Sequence, residues 1–250
     1  MDITWGQLLL FACALIIPYL INAYFDLQLL RVFNISILRM SAQLFLVGSY
    51  LKFLFVLNNA YINIAWLLMM LLVGCSAIVS NTKYTRKKIF WPVLISLCVA
   101  LFPILSLLLI GILKVEPFYN AQYLIPLAGM LLGNCLSGNI VALQHLFNSF
   151  KDKKDQYESA LALGANSVQA SFAFVQDALR QSLAPILASM ATTGLVTLPG
   201  MMTGQILSGS DPMLAIKYQL LIMLAIFVML SLSVALCLSL TVRYSIYQRN

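Results

Sequence analysis

Ile89-Phe90-Trp91-Pro92-Val93-Leu94-Ile95-Ser96-Leu97-Cys98-Val99-Ala100-Leu101-Phe102-Pro103-Ile104-Leu105-Ser106-Leu107-Leu108-Leu109-Ile110-Gly111-Ile112-Leu113 contains no ionisable side chain apart from one thiol, and basic residues bracket it: Arg86, Lys87 and Lys88 before, Lys114 after. About 20 apolar residues in a helix cross the hydrocarbon of a bilayer, and a lone helix satisfies all its backbone groups within one segment. The stretch therefore reads as a membrane span. Apolar runs separated by polar clusters recur at about 4–21, 40–57, 61–80, 122–147, 184–208 and 213–242, so the chain reads as an all-α polytopic membrane protein with about seven transmembrane helices. Of the 250 residues, 62% are hydrophobic and only 9% charged. That balance excludes a soluble fold, disorder and a coiled coil. Residues 1–250 read as one transmembrane domain.

The net charge of +7 would suggest nucleic acid in a soluble domain, but here the basic residues flank apolar runs, where they set orientation. No nucleic-acid partner is expected; the surroundings are a lipid bilayer. With the N-terminus outside, Arg31, Arg39, Lys83, Arg86, Lys87, Lys88, Lys151, Lys153, Lys154, Arg180, Arg243 and Arg249 lie inside, twelve of the 15 basic residues, leaving Lys52, Lys114 and Lys217 outside. The positive-inside rule thus selects N-out, C-in. Met1 to Gln7 carries Asp2 and no Lys or Arg, so the first run reads as a retained span and not a signal peptide. Asn58-Asn59 reads as a tight external turn, and 22–39 as a short interfacial segment.

The longest polar stretch, 148–183, is expected in the cytoplasm. From Glu158 it reads as a helix capped by Gly164, then restarted at Asn166 or Ser167 with Gln169 placed for a capping box. Two short helices result. In the second, Val168, Phe172, Val175 and Leu179 recur at helical spacing opposite Gln169, Gln176, Asp177 and Arg180, an amphipathic pattern suited to a membrane surface or a docked partner.

Catalytic chemistry finds little purchase. Cys13, Cys75, Cys98, Cys135 and Cys237 lie inside apolar runs with no CxxC pair. His145, the sole histidine, reads as a headgroup-level residue at the end of the fifth span and not a catalyst, so clustered histidines for zinc are lacking and a Ser–His pair is not recognised. No P-loop is present, so ATP-driven work needs a separate subunit. The acidic residues Asp2, Asp26, Glu116, Asp152, Asp155, Glu158, Asp177 and Asp211 all fall near interfaces or loops, which argues against a proton relay.

The run 184–208 is the most irregular. Gly194, Pro199, Gly200 and Gly204 punctuate it, and Pro199 removes a backbone donor. Carbonyls freed near Leu195 must be re-satisfied by hydroxyls, water or a ligand, so the break reads either as a pathway element or as a packing kink. Met201 and Met202 offer two thioethers, either soft ligands for a transition metal or core filler. Gly129 and Gly133 form a second small-residue pair, and Asn134 and Asn139 belong on a cavity or a partner. Asp211-Pro212 reads as an N-cap followed by a first-position proline.

Taken in order, Leu163-Gly164-Ala165, Gln169-Ala170-Ser171, Asp177, Pro185, Thr193-Gly194-Leu195-Val196, Leu198-Pro199-Gly200-Met201-Met202, Gly204, Asp211-Pro212 and Ala215-Ile216-Lys217-Tyr218-Gln219 resemble the FetB-type family of ABC transporter permeases, and Ile125-Pro126 through Asn134 fits it too. The resemblance is dense over about 120–220. It implies a transport subunit of the bacterial inner membrane, not itself an enzyme. ATP and Mg²⁺ are then held by two copies of a separate ABC-type ATP-binding subunit, with a second permease copy completing a homodimer. It further implies export of a metal ion such as iron. Glu158-Ser159-Ala160 with Gly164 also resembles the coupling word of ABC importers. On that resemblance Glu158, Ala160, Gly164, Gln169, Asp177 and Arg180 couple to the ATPase, Gly194, Pro199, Gly200 and Gly204 shape the break, and Asn134, Met201 and Met202 face substrate. The metal ligands stay open, with Met201 and Met202 as the candidates. An ATPase-independent channel or secondary transporter is the competing class.

Overall fold

The computed structural model describes residues 4–82 and 86–246, with side chains except at 86–88, 245 and 246. Asp2, Lys83 and Arg249, and the side chains of Arg86, Lys87 and Lys88, which entered the orientation argument, lie outside the described residues. Within them the chain is helical, apart from turns and an isolated bridge between Thr193 and Thr197.

Two compact units divide the chain, Met1–Leu57 and Asn58–Asn250. In the first, α1 (Trp5–Ala12), a 3₁₀ turn (Cys13–Leu15) and α2 (Ile16–Tyr24) make one continuous segment, followed by α3 (Leu30–Leu57). Thr4 and Gln7 close a capping box at the start of α1. The connection is fixed by polar side chains: Asn22 Oδ1 accepts from the Leu29 amide at 2.9 Å, and the Tyr19 hydroxyl donates to Asn34. The interfacial segment expected over 22–39 is thus mostly helix, and the second span starts at Leu30 instead of 40. Arg31 and Arg39 did not end it, because a long basic side chain can lie along a helix and carry its charge to the membrane surface.

The second unit holds α4 (Ala60–Asn81), α5 (Arg86–Ser106, continued by a π-turn Leu107–Ile112), α6 (Ala121–Asp152), α7 (Lys154–Ala162), α8 (Ser167–Thr192), α9 (Gly200–Leu207) and α10 (Pro212–Thr241, continued by a π-turn Val242–Ile246). Pro92 and Pro103 lie inside α5, and the widened turn begins one turn beyond Pro103, where the ladder has already lost a donor. Helix α6 is the axis of the unit, packed on α4, α5, α8 and α10. Its Ala128, Leu131, Cys135, Ala142, Leu143 and Leu146 are buried, as are Leu71 and Cys75 of α4, Leu97 and Leu101 of α5, and Met229 and Leu238 of α10. The thiols of Cys75, Cys135 and Cys237 are packing groups within this core.

Two contacts fix α6 against α10. Asn139, fully buried, donates to Cys135 O and to the Ser233 hydroxyl, which offsets the cost of burying its amide nitrogen, while its Oδ1 has no hydrogen-bond partner. Beside it a Cβ on Gly138 would stand 2.3 Å from Leu230 Cδ1, so any other residue there requires the buried Leu230 side chain to move. The small-residue pairs singled out in the sequence pack less closely: Gly133, Gly200 and Gly204 have nothing within 4 Å of a built Cβ, and Gly129 meets only Met70 Cε at 3.4 Å.

At one end of the unit Asn63 donates to Tyr119 O at 2.8 Å and Asn58 accepts from the Ala121 amide at 3.1 Å; Asn59 caps α4. At the other end Gln144 donates to Asn81 O at 3.0 Å, and Lys153 lies 3.7 Å from Asp177.

Among the described residues six helical segments are long and apolar enough to cross a membrane: Trp5–Tyr24, Leu30–Leu57, Ala60–Asn81, Ile89–Ile112, Ala121–Asp152 and Pro212–Tyr244. The expected span 184–208 is not a single helix. Helix α8 starts at its cap far upstream and runs 26 residues to Thr192, straight through Pro185, and the chain turns irregular before α9. The expected second short helix of the cytoplasmic segment and the expected sixth span therefore share one rod, about 39 Å long.

Candidate functional site

Three features of the second unit bear on function: the cap between α7 and α8, the break after α8, and a groove beside α6. The cap is built from the chain's own chemistry. Gly164 takes φ +93°, its amide donates to Leu161 O at 3.0 Å and the Ala165 amide to Ala160 O at 3.1 Å. That bond pair is a Schellman ending, which needs a left-handed residue. Two residues on, Asn166 Oδ1 accepts from the Gln169 amide at 2.8 Å while Gln169 Oε1 accepts from the Asn166 amide at 3.0 Å, the capping box read from the sequence. Helix α7 begins at Lys154, earlier than the Glu158 start expected.

Aromatic rings bind this segment to the spans. Phe150 of α6, Tyr157 of α7 and buried Phe174 of α8 pack with centroids 5.3 Å (Phe150–Tyr157) and 5.2 Å (Phe150–Phe174) apart, both edge-to-face. Such pairs add about 0.5–1.5 kcal/mol each beyond burial. The three rings thus join α7 to both α6 and α8. On the outer surface Leu163, 89% exposed, and Phe172, 66% exposed, are uncovered beside Val168.

The residues expected to couple occupy distinct places. Glu158 is exposed and 3.2 Å from Lys154 one turn earlier; Asp177 faces Lys153; Arg180 is exposed; Ala160 is half-buried. Gln169 is spent on its own helix as half of the capping box. Gly164 alone among them sets a backbone direction.

At the break, the chain leaves the helix for Thr193–Pro199. Thr192 and Thr193 turn their hydroxyls back onto Ala188 O (3.1 Å) and Ser189 O (2.7 Å), and Thr203 donates to Pro199 O at 3.1 Å. Ser189 O and Pro199 O also accept the Thr193 and Thr203 amides, at 2.9 and 3.0 Å, so the hydroxyls add second bonds to carbonyls the ladder already uses and hide their own donors from lipid. Gly194 takes φ +91° and donates to Thr197 O at 2.9 Å. Pro199 does not kink a helix, as the sequence reading had it; it is the N-cap of α9, and Gly200 is the first residue. Gly204 is exposed on α9, and Met201 and Met202 are half-buried there, with Met201 against the core. Asp211 Oδ2 accepts from the Leu214 amide at 3.3 Å and Pro212 opens α10, as its sequence spelled out.

The groove, about 210 Å³, lies between α6, α8 and α10 and takes in Asn134, Ser137, Ser182, Pro185 and Ser189. Asn134 is exposed, with its amide nitrogen tied to Met130 O at 2.8 Å. Sequence reasoning weighed Asn134 and Asn139 alike; the fold parts them, one onto the groove and one into the core. Ser137, Ser182 and Ser189 were missed, although the first stands three residues after Asn134 on the same helix face. Met201 and Met202 are not among the groove's residues, and among the described residues no three of His, Cys, Asp and Glu gather where they could hold a metal.

A helical bundle with six segments of this length and apolarity among the described residues is a multi-pass membrane protein. The chain matches, over residues 5–246, the model of a family described as Uncharacterised protein family (UPF0014), and it belongs to that family. UPF0014 membrane protein slr1647 of Synechocystis sp. is 35% identical over 184 residues, 74% of this chain and 71% of the relative. Protein ALUMINUM SENSITIVE 3 of Arabidopsis thaliana is 36% identical over 189 residues, 75% and 67% of the two chains. A relative from Escherichia coli named Probable iron export permease protein FetB is 30% identical over 221 residues, 88% and 84% of the two. No solved structure matches the chain.

Proposed function

We propose that this protein is the membrane subunit of an ATP-driven ABC transporter that exports a metal ion such as iron across the bacterial inner membrane. Two copies pair as a homodimer and two ABC-type ATP-binding subunits, carrying ATP and Mg²⁺, dock on the cytoplasmic side; the chain itself hydrolyses nothing. Residues 1–250 act as one permease domain, N-out and C-in, with 148–183 as the coupling segment. In support of the orientation, Lys151, Lys153, Lys154, Arg180 and Arg243 belong to the end of the second unit where Gln144 meets Asn81, while Lys114 belongs to the opposite end.

The observation that carries the reading is the continuity of α8. One rod joins the Gly164 cap to the broken stretch after Thr192, and Phe174 ties that rod to α7 and α6. ATP-driven closure of a docked ATPase pushes on α7 as a rigid body, and the rod delivers the push to the break. Glu158, Ala160, Gly164, Gln169, Asp177 and Arg180 make up the coupling segment, Gly194, Pro199, Gly200 and Gly204 the hinge, and Asn134, Met201 and Met202 the substrate-facing set. The relative named as a probable iron export permease supports metal as cargo.

Docking is tested by pull-down of a tagged ABC-type ATPase from the same genome with the full-length permease in detergent. Leu163→Asp and Phe172→Asp place a charge on the uncovered apolar patch and are expected to abolish recovery of the ATPase while leaving the amount of permease in the membrane unchanged. Undiminished recovery from both variants would remove the docking role.

A further inference from the structure

Helix α6 differs from every other crossing helix of its unit in what it leaves uncovered. Away from exposed Lys217 and Ser239 of α10 and Ser106 of α5, the outward positions include Leu220, Leu224 and Val228 on α10, Ile95, Val99 and Phe102 on α5, and Ile64, Leu68 and Leu72 on α4, side chains that lipid solvates. On α6 the outward positions from 133 onward are Gly133, Asn134, Ser137, Gln144, His145 and Asn148, clustered along one face, with half-buried Val141 on that face and Ile140 at its border. Asn134 to Asn148 spans about 21 Å of helix. Gln144, bonded to Asn81 O, lies with His145 and Asn148 at the end of the unit where Lys151 follows and water is at hand, whereas Asn134 and Ser137 lie deeper and donate only to carbonyls of their own helix, Met130 O and Asn134 O. Their remaining oxygens would lose water without recompense against acyl chains, so the face there meets water or a polar partner. Helix α8 answers it across the groove with Ser182 and Ser189, and Pro185 between them cannot donate to Gln181 O, which leaves a helix carbonyl free beside the cleft.

The chemistry of that face restricts what can move along it. Apart from the imidazole of His145 its groups are amides and a hydroxyl, and no carboxylate lies on it between Asn134 and Asn148. A bare divalent cation shed of its water needs anionic or densely packed oxygen ligands to recover its hydration energy. Amides and hydroxyls spaced along a helix do something else: they donate to and accept from the ligands that already surround a metal.

Resting on the permease reading above, we infer that the Asn134–Asn148 face of α6, with Ser182 and Ser189 of α8, is one wall of the permeation path, and that the metal passes along it still clothed in its own oxygen ligands. The wall hydrogen-bonds to those ligands and contributes none to the metal's first shell. The ligands are either water or an organic hydroxy-carboxylate; the chemistry offered to the wall is the same.

The wall and the cargo are tested separately. Asn134→Cys, Ser137→Cys and His145→Cys, with Leu224→Cys and Val228→Cys as lipid-facing references, are made in the full-length permease in proteoliposomes and exposed to a water-soluble thiol reagent, the adduct being read by mass at each introduced site. Because only the thiolate reacts, and apolar surroundings suppress it, the three face positions should label about tenfold faster than the two references, with or without an ATPase. Equal rates would overturn the wall. For the cargo, purified permease is equilibrated with ferrous iron in water or with ferric citrate, and X-ray absorption is recorded at the iron edge. An all-oxygen first shell unchanged from the supplied species is expected in one of the two arms, and which arm identifies the ligand source. Nitrogen or sulfur in that shell, from His145, Met201 or Met202, would overturn the clothed cargo. Fast labelling with no iron retained in either arm would overturn the cargo and the metal reading together while leaving the wall standing.

Discussion

Gly164→Val should leave the permease folded and inserted but cut ATP-driven transport by about tenfold or more. Gly164 holds φ +93° at the Schellman ending of α7, and a Cβ there would meet nothing within 4 Å. Crowding is therefore absent, and the whole effect comes from the backbone. A left-handed conformation costs an L-residue about 1–2 kcal/mol, more for a β-branched one, and about 1.4 kcal/mol is a factor of ten in the population of the native turn. With the turn displaced, α7 no longer points along the direction that Phe150, Tyr157 and Phe174 transmit. ATP hydrolysis by the docked partner should continue while transport falls. Gly164→Asn separates backbone from size, since asparagine tolerates the left-handed region; it should keep most of the transport. Transport by Gly164→Val at the parental rate, measured in proteoliposomes at equal protein, would contradict the coupling role.

The second large effect belongs to Gly138, which the sequence did not single out. A valine there would bring its Cβ 2.3 Å from Leu230 Cδ1, so the buried Leu230 side chain must leave its place in the packed core or α6 must move from α10 where Asn139 meets Ser233. Overpacking of this kind costs about 1–3 kcal/mol, and the hydrogen bond lost from a buried amide adds to it. The Tm of the purified permease in detergent should drop by about 5–10 °C, and Leu230→Ala in the same chain should restore at least half of the loss by opening the space. An unchanged Tm for Gly138→Val would mean that the two helices do not approach as described.

These two glycines also mark where the sequence could and could not be read. Gly164 was legible because a helix ending is local: a pattern of cap, glycine and capping box within ten residues dictates its own hydrogen bonds, and Asn166 with Gln169 and Asp211 with Pro212 behave as spelled. Spans were legible wherever apolar runs ended at such signals, so Ala60–Asn81, Ala121–Asp152 and Pro212–Thr241 fall within a few residues of their expected places. Gly138 was not legible, because which glycine touches a neighbouring helix depends on the rotation of α6, and the Gly129 and Gly133 pair at the same spacing faces elsewhere. Hydropathy averaging likewise hid α8. Its polar first half and apolar second half were read as two objects, a loop helix and a span, although no stop signal separates them and Pro185 costs the helix one donor without ending it. Averaging also hid the polar face of α6, where Asn134, Ser137, His145 and Asn148 are diluted by the buried leucines between them. Only a periodicity of three and four, asked of the polar residues instead of the apolar ones, would have exposed it.

The central claim is that this chain works as the metal-exporting half of an ATPase complex. Its most direct test is vanadate-sensitive ATP hydrolysis by the permease co-purified with its ABC-type ATPase in lipid, titrated with ferrous iron and other metals. The account predicts that iron stimulates hydrolysis and that Gly164→Val removes the stimulation while basal hydrolysis persists. A stable complex whose hydrolysis is indifferent to every metal would contradict the cargo, and failure of the two proteins to form a complex would contradict the transporter itself.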